Sequence, residues 1–277
     1  MRGDVAGAIR DAATRLGATS DTARLDAEVL MAHALGVRRS EMLLRHMRDG
    51  VSDGFAALVE RRAEHEPVAY IVGCQEFFGI DLRVTPDVLI PRGDSEVLVD
   101  AALAARPDAA RVLDCGTGSG ALLLAVLAQM PQAMGVGTDR SAAALAIAAD
   151  NAARLRLADR ARMILADWSA PGWQAALGAP FDLILANPPY VEDAAELAPS
   201  VRAHEPAGAL FAGPDGLDAY RVLVPQLPGL LAPGGVALVE IGWTQVDAVS
   251  AIACGAGLGT RLHRDLANRP RVLELRQ

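Results

Sequence analysis

The sequence predicts an α/β protein with a mainly parallel β-sheet, preceded by a small helical domain and a β-hairpin. Over the last two thirds of the chain, short apolar stretches alternate with helical patterns. This alternation is typical of β-α-β units, in which parallel strands are covered by helices on both faces. With 52% apolar and 22% charged residues among 277, the chain has enough apolar material to bury a sizeable core.

The balance of charge disfavours nucleic acid as a partner. The formal net charge is −8, and all 26 residues counted as lysine or arginine are arginine. Because nucleic-acid-binding proteins usually carry a basic face, we expect a protein or small-molecule partner and no direct contact with nucleic acid. The three cysteines are far apart and the five histidines lack metal-binding spacing, so neither disulfides nor a metal site is expected.

Hydropathy predicts neither a membrane span nor a secretory signal. No stretch reaches the roughly 18 uninterrupted apolar residues of a transmembrane helix. The first residues lack the apolar core of a signal peptide. We therefore expect a cytoplasmic protein without a membrane partner.

Residues 1–66 predict four short amphipathic helices that form a small bundle. In the first helix, Val5, Ile9 and Leu16 lie near one face. The second helix carries the apolar residues Leu25, Val29, Leu30 and Ala34. Capping and turn residues separate the segments: Gly17, then Ser20 and Asp21 as the N-cap of the second helix, Gly36, Ser40 and Ser52. No catalytic constellation occurs here, and the bundle is either a structural cap or a docking surface for a partner.

The pattern of residues 67–91 predicts a linker. Within it, residues 75–79 and 80–84 are expected to form a hairpin around a glycine turn. Residues 92–277 predict the catalytic domain, with an edge hairpin at its end. The expected elements are strands at 111–114, 133–138, 161–166, 181–186 and 236–241, helices at 120–129, 141–155 and 217–230, and hairpin strands at 258–265 and 271–275.

A glycine loop follows the first strand of this domain and opens a helix. Its residues are Gly116, Thr117, Gly118, Ser119 and Gly120. Glycines allow close approach of a ligand to the backbone, and a helix N-terminus favours a negative group. The pattern predicts a nucleotide-type cofactor, although dinucleotide-binding loops and plain tight turns share it.

Acidic and aromatic residues end the next two strands. Asp139 follows the second strand, about twenty residues beyond the glycines, where a carboxylate can accept hydrogen bonds from both ribose hydroxyls of a nucleoside. The alternative is a helix N-cap shared with Ser141. Asp167 and Trp168 end the third strand, where they could bind and wall an adenine ring; by itself this pair is weak evidence.

Asn187-Pro188-Pro189-Tyr190 follows the apolar fourth strand and is the most specific signal in the chain. An amide nitrogen is a poor nucleophile because its lone pair is delocalised. If the Asn187 side-chain oxygen and the Pro188 carbonyl accept its two hydrogens, the nitrogen is held facing a methyl donor and its developing charge is stabilised. Tyr190 would stack on the planar target group.

The chain has a glycine loop, then an acidic residue at a strand end, then Asn-Pro-Pro-Tyr. In this order of motifs it resembles a class I S-adenosylmethionine-dependent methyltransferase that acts on a planar amide or exocyclic amine. More narrowly, the chain resembles the HemK-type family, the glutamine methyltransferases of peptide-chain release factors. The resemblance covers nearly everything from Pro67 onward and rests on residues 67–73, 76–79, 88–92, 205–206, 213–221, 233–235, 240–242, Gln245, 265–267 and Arg269.

The resemblance implies an N-terminal domain that helps to hold the release factor, and methylation at N5 of the glutamine in a Gly-Gly-Gln loop. It implies S-adenosyl-L-methionine as donor, leaving S-adenosyl-L-homocysteine. Cofactor binding carries over onto residues 116–120, Asp139, Trp168 and Asn187, and substrate binding onto residues 187–190, with Asn187 and Pro188 catalytic. The family usually continues Pro-Glu-Thr-Glu after Arg92, whereas this chain has Gly93-Asp94-Ser95-Glu96. Aspartate for glutamate and serine for threonine keep the chemistry, and glycine for proline loosens the turn.

Three alternatives stay open at this point. A sister group with the same motif methylates a glutamine of a large-subunit ribosomal protein. Adenine or guanine N-methyltransferases of nucleic acids also use Asn-Pro-Pro-Tyr, although the acidic composition argues against them. A catalytically silent binding protein could retain the fold, but the intact glycines, Asp139 and Asn187 make that reading the weakest.

Overall fold

The computed structural model describes residues 3–178 and 180–277. Its helices are α1 (Val5–Leu16), α2 (Ala23–Leu35), α3 (Arg39–Glu41), α4 (Phe55–Ala63), α5 (Val68–Val72), α6 (Glu96–Ala105), α7 (Ala121–Gln129), α8 (Ala142–Arg154), α9 (Pro199–His204), α10 (Asp218–Leu223) and α11 (Val246–Gly255). Its strands are β1 (Cys74–Phe77), β2 (Ile80–Arg83), β3 (Arg111–Cys115), β4 (Met134–Asp139), β5 (Ala161–Leu165), β6 (Phe181–Ala186), β7 (Leu231–Glu240), β8 (Gly259–Arg264) and β9 (Pro270–Arg276).

The chain divides into two units. The first consists of Met1–Cys74 and Leu197–His204, and the second of Gln75–Glu196 and Glu205–Gln277. The division after Cys74 lies inside the segment that the sequence analysis treats as a linker, and α5 in that segment was not anticipated. Among the described residues, no helix combines the length and the apolar character needed to cross a membrane.

The first unit is helical and has its own apolar core. Val5, Ile9 and Leu16 are fully buried, as their spacing predicts. They pack with buried residues of the following helices, including Leu30, Met31, Met42, Phe55 and Val59. α1 begins after Asp4, whose carboxylate accepts a hydrogen bond of 2.8 Å from the Gly7 amide and so caps the helix.

The prediction for the start of α2 is wrong, and the prediction for its buried face fails at Leu25, although Leu30 is fully buried as expected. Neither Ser20 nor Asp21 caps the helix, which begins two residues after Asp21. Leu25 is 45% exposed, whereas Asp26 is buried. The reason is an internal ion pair: Asp26 accepts hydrogen bonds of 2.7 Å from both Ser20 and Arg62, so its charge is satisfied in the interior.

The second unit is built on a seven-stranded sheet with the order β5-β4-β3-β6-β7-β9-β8. Strands β3 to β7 are parallel, and β9 runs antiparallel between β7 and β8. The strand order reverses between β3 and β6, and open α/β sheets bind ligands at such a point, beyond the carboxyl ends of the strands. The predicted fold class, including the β1–β2 hairpin, is confirmed.

Neighbouring residues of one strand enter separate cores on opposite faces of this sheet. Val112 packs with residues of α6 and α7, whereas Leu113 packs with residues of α10 and α11. The predicted helix over 217–230 is interrupted: α10 is followed by a 3-10 helix, Val224–Gly229. Pro225 and Pro228 are the physical reason, since proline lacks the amide hydrogen that an α-helix requires.

Candidate active site

The glycine loop runs from β3 to α7 and is hydrogen-bonded to the end of β4. The Gly116 and Thr117 amides both donate to the Thr138 carbonyl, at 2.9 and 2.8 Å. Gly116 has a φ of 77°, and a Cβ there would lie 3.0 Å from the Trp168 ring. Glycine is therefore required at this position both by conformation and by the close approach of the indole.

Asp139 holds the loop from the end of β4. One of its carboxylate oxygens accepts from the Gly118 amide at 3.0 Å and the other from the Ser141 amide at 2.9 Å. The N-cap of α8 is Ser141 rather than Asp139, because the Ser141 hydroxyl accepts from the Ala144 amide. Each carboxylate oxygen keeps a further lone pair, and Asp139 faces the cavity described below.

A buried carboxyl beneath the loop was missed by the sequence analysis. Asp114 is 1% exposed, and the Thr117 hydroxyl donates to it at 2.7 Å. Burial, reinforced by the charge of Asp139, raises the pKa of Asp114 to about 7. An aspartate within the apolar run that precedes the glycines was the available signal.

Asp114 makes stability depend on pH. A carboxyl whose pKa rises on folding favours the folded state when protonated, so its contribution is lost as pH rises from its ordinary pKa of 3.8 through about 7. We expect Asp114→Asn to abolish this loss, which amounts to roughly 1.4 kcal/mol per unit of pKa difference. Urea unfolding of both proteins at mildly acidic and mildly alkaline pH measures it. An unchanged difference between the two pH values in the variant would refute the assignment.

Trp168 forms an apolar wall beside the glycines. The residue is half-buried, and its carbonyl accepts a 3.0 Å hydrogen bond from Gln226. The neighbouring Asp167 accepts from the Ser169 hydroxyl at 2.6 Å and from the Ser169 amide at 2.8 Å, and these bonds lower its pKa. Asp167 is therefore an anion at neutral pH and retains lone pairs for a ligand.

The Asn-Pro-Pro-Tyr segment follows β6, next to β3 in the sheet. Pro188 is buried, and its three neighbours in the motif are half-buried. Among residues 3–178 and 180–277, none makes a hydrogen bond with the Asn187 side chain. The Tyr190 hydroxyl donates to Glu240 at 3.5 Å, and burial, reinforced by the charge of Glu240, raises the pKa of Tyr190 to about 12. Tyr190 therefore stays neutral.

These elements surround one cavity of about 470 Å³. Its lining includes all of the predicted loop residues except Gly120, together with Asp139, Trp168, Asn187 and Pro189. Arg92, which precedes the segment that departs from the family pattern, and Ser95, which belongs to it, line the same cavity. The buried Glu205 carboxylate holds the residues just before this segment, since it pairs with Arg92 and accepts a hydrogen bond from the Ile90 amide at 3.3 Å. The described residues contain no group of three or more histidine, cysteine, aspartate or glutamate side chains that could hold a metal.

The fold and the site together define the class of protein. The parallel sheet with one inserted antiparallel strand, the glycine loop after β3 and the acidic residue after β4 are those of a class I S-adenosylmethionine-dependent methyltransferase. Residues 7–73 match a model described as the PrmC N-terminal domain, and residues 93–203 one described as the methyltransferase small domain.

Curated relatives define the family more narrowly. The release factor glutamine methyltransferase of Caulobacter vibrioides is 44% identical over 91% of this chain and 89% of its own length. That of Cereibacter sphaeroides is 43% identical over 98% of both chains. A solved ribosomal protein L11 methylase from Lactobacillus delbrueckii is 21% identical, with 66% of this chain and 78% of that chain covered and a TM-score of 0.49. The chain belongs to the release factor glutamine methyltransferase family.

Proposed function

We propose that this enzyme methylates N5 of the glutamine in the Gly-Gly-Gln motif of peptide chain release factors. The observation that carries the proposal is the Asn187 side chain at the wall of the cavity. None of the residues that the structure describes hydrogen-bonds this side chain, so its amide is available to a ligand in the cavity that the glycine loop also lines. The names of the relatives, which cover nearly the whole chain, support the same substrate.

The cavity residues fit S-adenosylmethionine. The loop approaches Trp168 too closely for any side chain at Gly116, which leaves a backbone cradle. We propose that the loop residues Gly116 to Gly120 hold the donor, that Asp139 accepts from its ribose hydroxyls and that Trp168 walls its adenine. The cofactor supplies an activated methyl group and departs as S-adenosylhomocysteine.

In the proposed mechanism, Asn187 and Pro188 orient the target nitrogen. The Asn187 side-chain oxygen and the Pro188 carbonyl accept the two amide hydrogens, which fixes the lone pair towards the methyl group. When the N–C bond forms and the bond between the methyl group and the donor sulfur breaks, both oxygens would stabilise the positive charge on nitrogen, and one proton would then leave to water. Pro189 and Tyr190 complete the wall of the glutamine site.

We propose that the helices of residues 1–66 dock the release factor, that residues 67–91 link them to the catalytic domain and that residues 92–277 carry the chemistry. A large apolar side chain on the helical unit suits such a docking surface: Leu44 is 83% exposed. A translation factor as substrate implies that the enzyme works in the cytoplasm.

Leu44→Ser tests the docking role. We expect the KM for the release factor to rise about tenfold, because burying a leucine contributes roughly 1.5–3 kcal/mol, while cofactor affinity stays unchanged. Met134→Ser is the control, since Met134 is 52% exposed on the second unit, at the start of β4. Equal KM values for wild type and Leu44→Ser would remove Leu44 from the docking surface.

Labelled cofactor tests the substrate. The enzyme is incubated with purified release factor, ribosomal proteins and DNA in separate reactions, and mass spectrometry locates the added methyl group. We expect label on the Gly-Gly-Gln glutamine alone. Label on a ribosomal protein or on DNA, with the release factor unlabelled, would overturn the substrate assignment. It would favour the ribosomal-protein or the nucleic-acid methyltransferase, respectively.

A further inference from the structure

The backbone of the catalytic motif needs an anchor from outside the motif. Pro188 and Pro189 have no amide hydrogens, so neither can tie the motif to its surroundings through a donated hydrogen bond. The chain is next fixed at Val191, whose amide donates to the Leu210 carbonyl at 2.8 Å and whose carbonyl accepts from Ala212 at 2.9 Å. Between these points lies Tyr190.

Gln245 holds the carbonyl of Tyr190. Its side-chain nitrogen donates to the Tyr190 carbonyl at 3.1 Å and to the Gly216 carbonyl at 3.2 Å. Its side-chain oxygen accepts from the Gly242 amide at 3.0 Å. Three of the four hydrogen bonds that a glutamine amide can make are thus used, and Gln245 is only 9% exposed.

The surrounding backbone is shaped around this contact. Gly216 has a φ of 68°, and a Cβ there would overlap the Tyr190 carbonyl and lie 2.8 Å from the Gln245 side-chain nitrogen. The carbonyl of Tyr190 is therefore enclosed by Gln245 and Gly216, while its hydroxyl reaches Glu240. Tyr190 is held at both ends by residues close to the end of β7.

We propose that Gln245 is a positioning residue for methyl transfer: it fixes the backbone of the Asn-Pro-Pro-Tyr motif so that the Asn187 and Pro188 oxygens meet the target amide. This inference rests on the proposed function of that motif. Gln245 is not among the residues that line the cavity; in this proposal it acts through Tyr190. Displacement of a reacting group by about 1 Å can cost roughly a hundredfold in rate, so a modest shift of the motif is enough to matter.

Gln245→Glu is the sharpest test, because it keeps the shape and replaces two donors by a carboxylate that faces two carbonyl oxygens. We expect kcat for the release factor to fall about tenfold or more, with the cofactor Kd within a factor of about two of wild type. Gln245→Met removes the hydrogen bonds without the repulsion, and its loss of kcat should be smaller. It also serves as the test if Gln245→Glu does not fold.

Gln226→Glu is the matched control. The Gln226 side-chain nitrogen also donates to two carbonyls, those of Trp168 at 3.0 Å and Val222 at 2.7 Å. Because Trp168 belongs to the proposed cofactor wall, we expect this variant to raise the cofactor Kd more than it lowers kcat at saturating cofactor. The two glutamines should thus show opposite patterns, which a general loss of stability would not produce.

The outcomes separate the two proposals. If wild-type enzyme leaves the release factor unlabelled, the proposed function fails. If wild type labels it and both Gln245 variants retain full kcat, or lose kcat and cofactor affinity in equal proportion, the positioning role fails while the function stands.

Discussion

Asn187→Ala should lower kcat for a release factor by about a hundredfold to a thousandfold, because removal of one preorganised partner of developing charge costs about that much. The fold should be unaffected, since no described residue hydrogen-bonds the Asn187 side chain. Cofactor binding should be largely retained, because the glycine loop and Asp139 are untouched. Methyl transfer to purified release factor, together with thermal unfolding, measures both effects.

Asn187→Asp and an internal control sharpen this test. Aspartate keeps an acceptor but adds a negative charge beside the methyl donor and lacks the amide hydrogens that orient the side chain, so we expect it to be badly impaired too. Asn151 is the contrast: its side chain bonds the Arg83 carbonyl at 3.0 Å, the Ser119 carbonyl at 2.9 Å and the Arg83 amide at 2.7 Å. Asn151→Ala should therefore lower stability and loosen the glycine loop at Ser119, but it removes no partner of the target amide, so kcat at saturating cofactor should fall far less than in Asn187→Ala. Full activity in either Asn187 variant would contradict the proposal that the Asn187 side chain binds the target amide.

Asp139→Ala should raise the dissociation constant for S-adenosylmethionine at least about tenfold, because hydrogen bonds to charged groups contribute roughly 1.5–3 kcal/mol. The structure adds a second reason. Removal of the carboxylate takes away the acceptor for the Gly118 amide as well as the acceptor for the ribose hydroxyls, so the loop itself loses an anchor. Titration calorimetry of the free enzyme measures the change directly.

Asp182→Ala is the matched control for the loss of a carboxylate that holds backbone amides. Asp182 accepts from the amides of Ala110 at 3.0 Å and Arg111 at 2.9 Å, at the opposite ends of the strands from the cavity. This variant should lose stability but keep its cofactor affinity. If the two variants weakened cofactor binding equally, Asp139 would act only through the fold and would have no place in the cofactor site.

Much of the architecture could be predicted because its signals are local. The alternation of apolar strands with helices indicated the parallel sheet. The glycines and Asn187 stand directly after strands, and Asp139 is the last residue of one. Carboxyl ends of parallel strands meet at one edge, so these residues had to converge there. The end of α10 also has a local signal, because Pro225 and Pro228 lack the amide hydrogens that would continue the predicted helix.

Other features were not readable because they depend on residues far apart in the chain. The burial of Asp26 requires Arg62, which lies 36 residues away. The hydrogen bond between Gln245 and the Tyr190 carbonyl joins residues 55 positions apart, and no local sequence pattern around either residue predicts it.

The fold class, the family and the strand ends at which the candidate site residues lie follow from the sequence alone, because periodicity and strand-end residues act over a few positions. The burial of particular carboxyls, as with Asp114 and Glu240, and the side chains that hold the Asn-Pro-Pro-Tyr segment in place depend on tertiary contacts. Burial raises the pKa of Glu240 to about 7, yet the residue reads as an ordinary strand end. Its environment is supplied by segments that meet only when the sheet has formed.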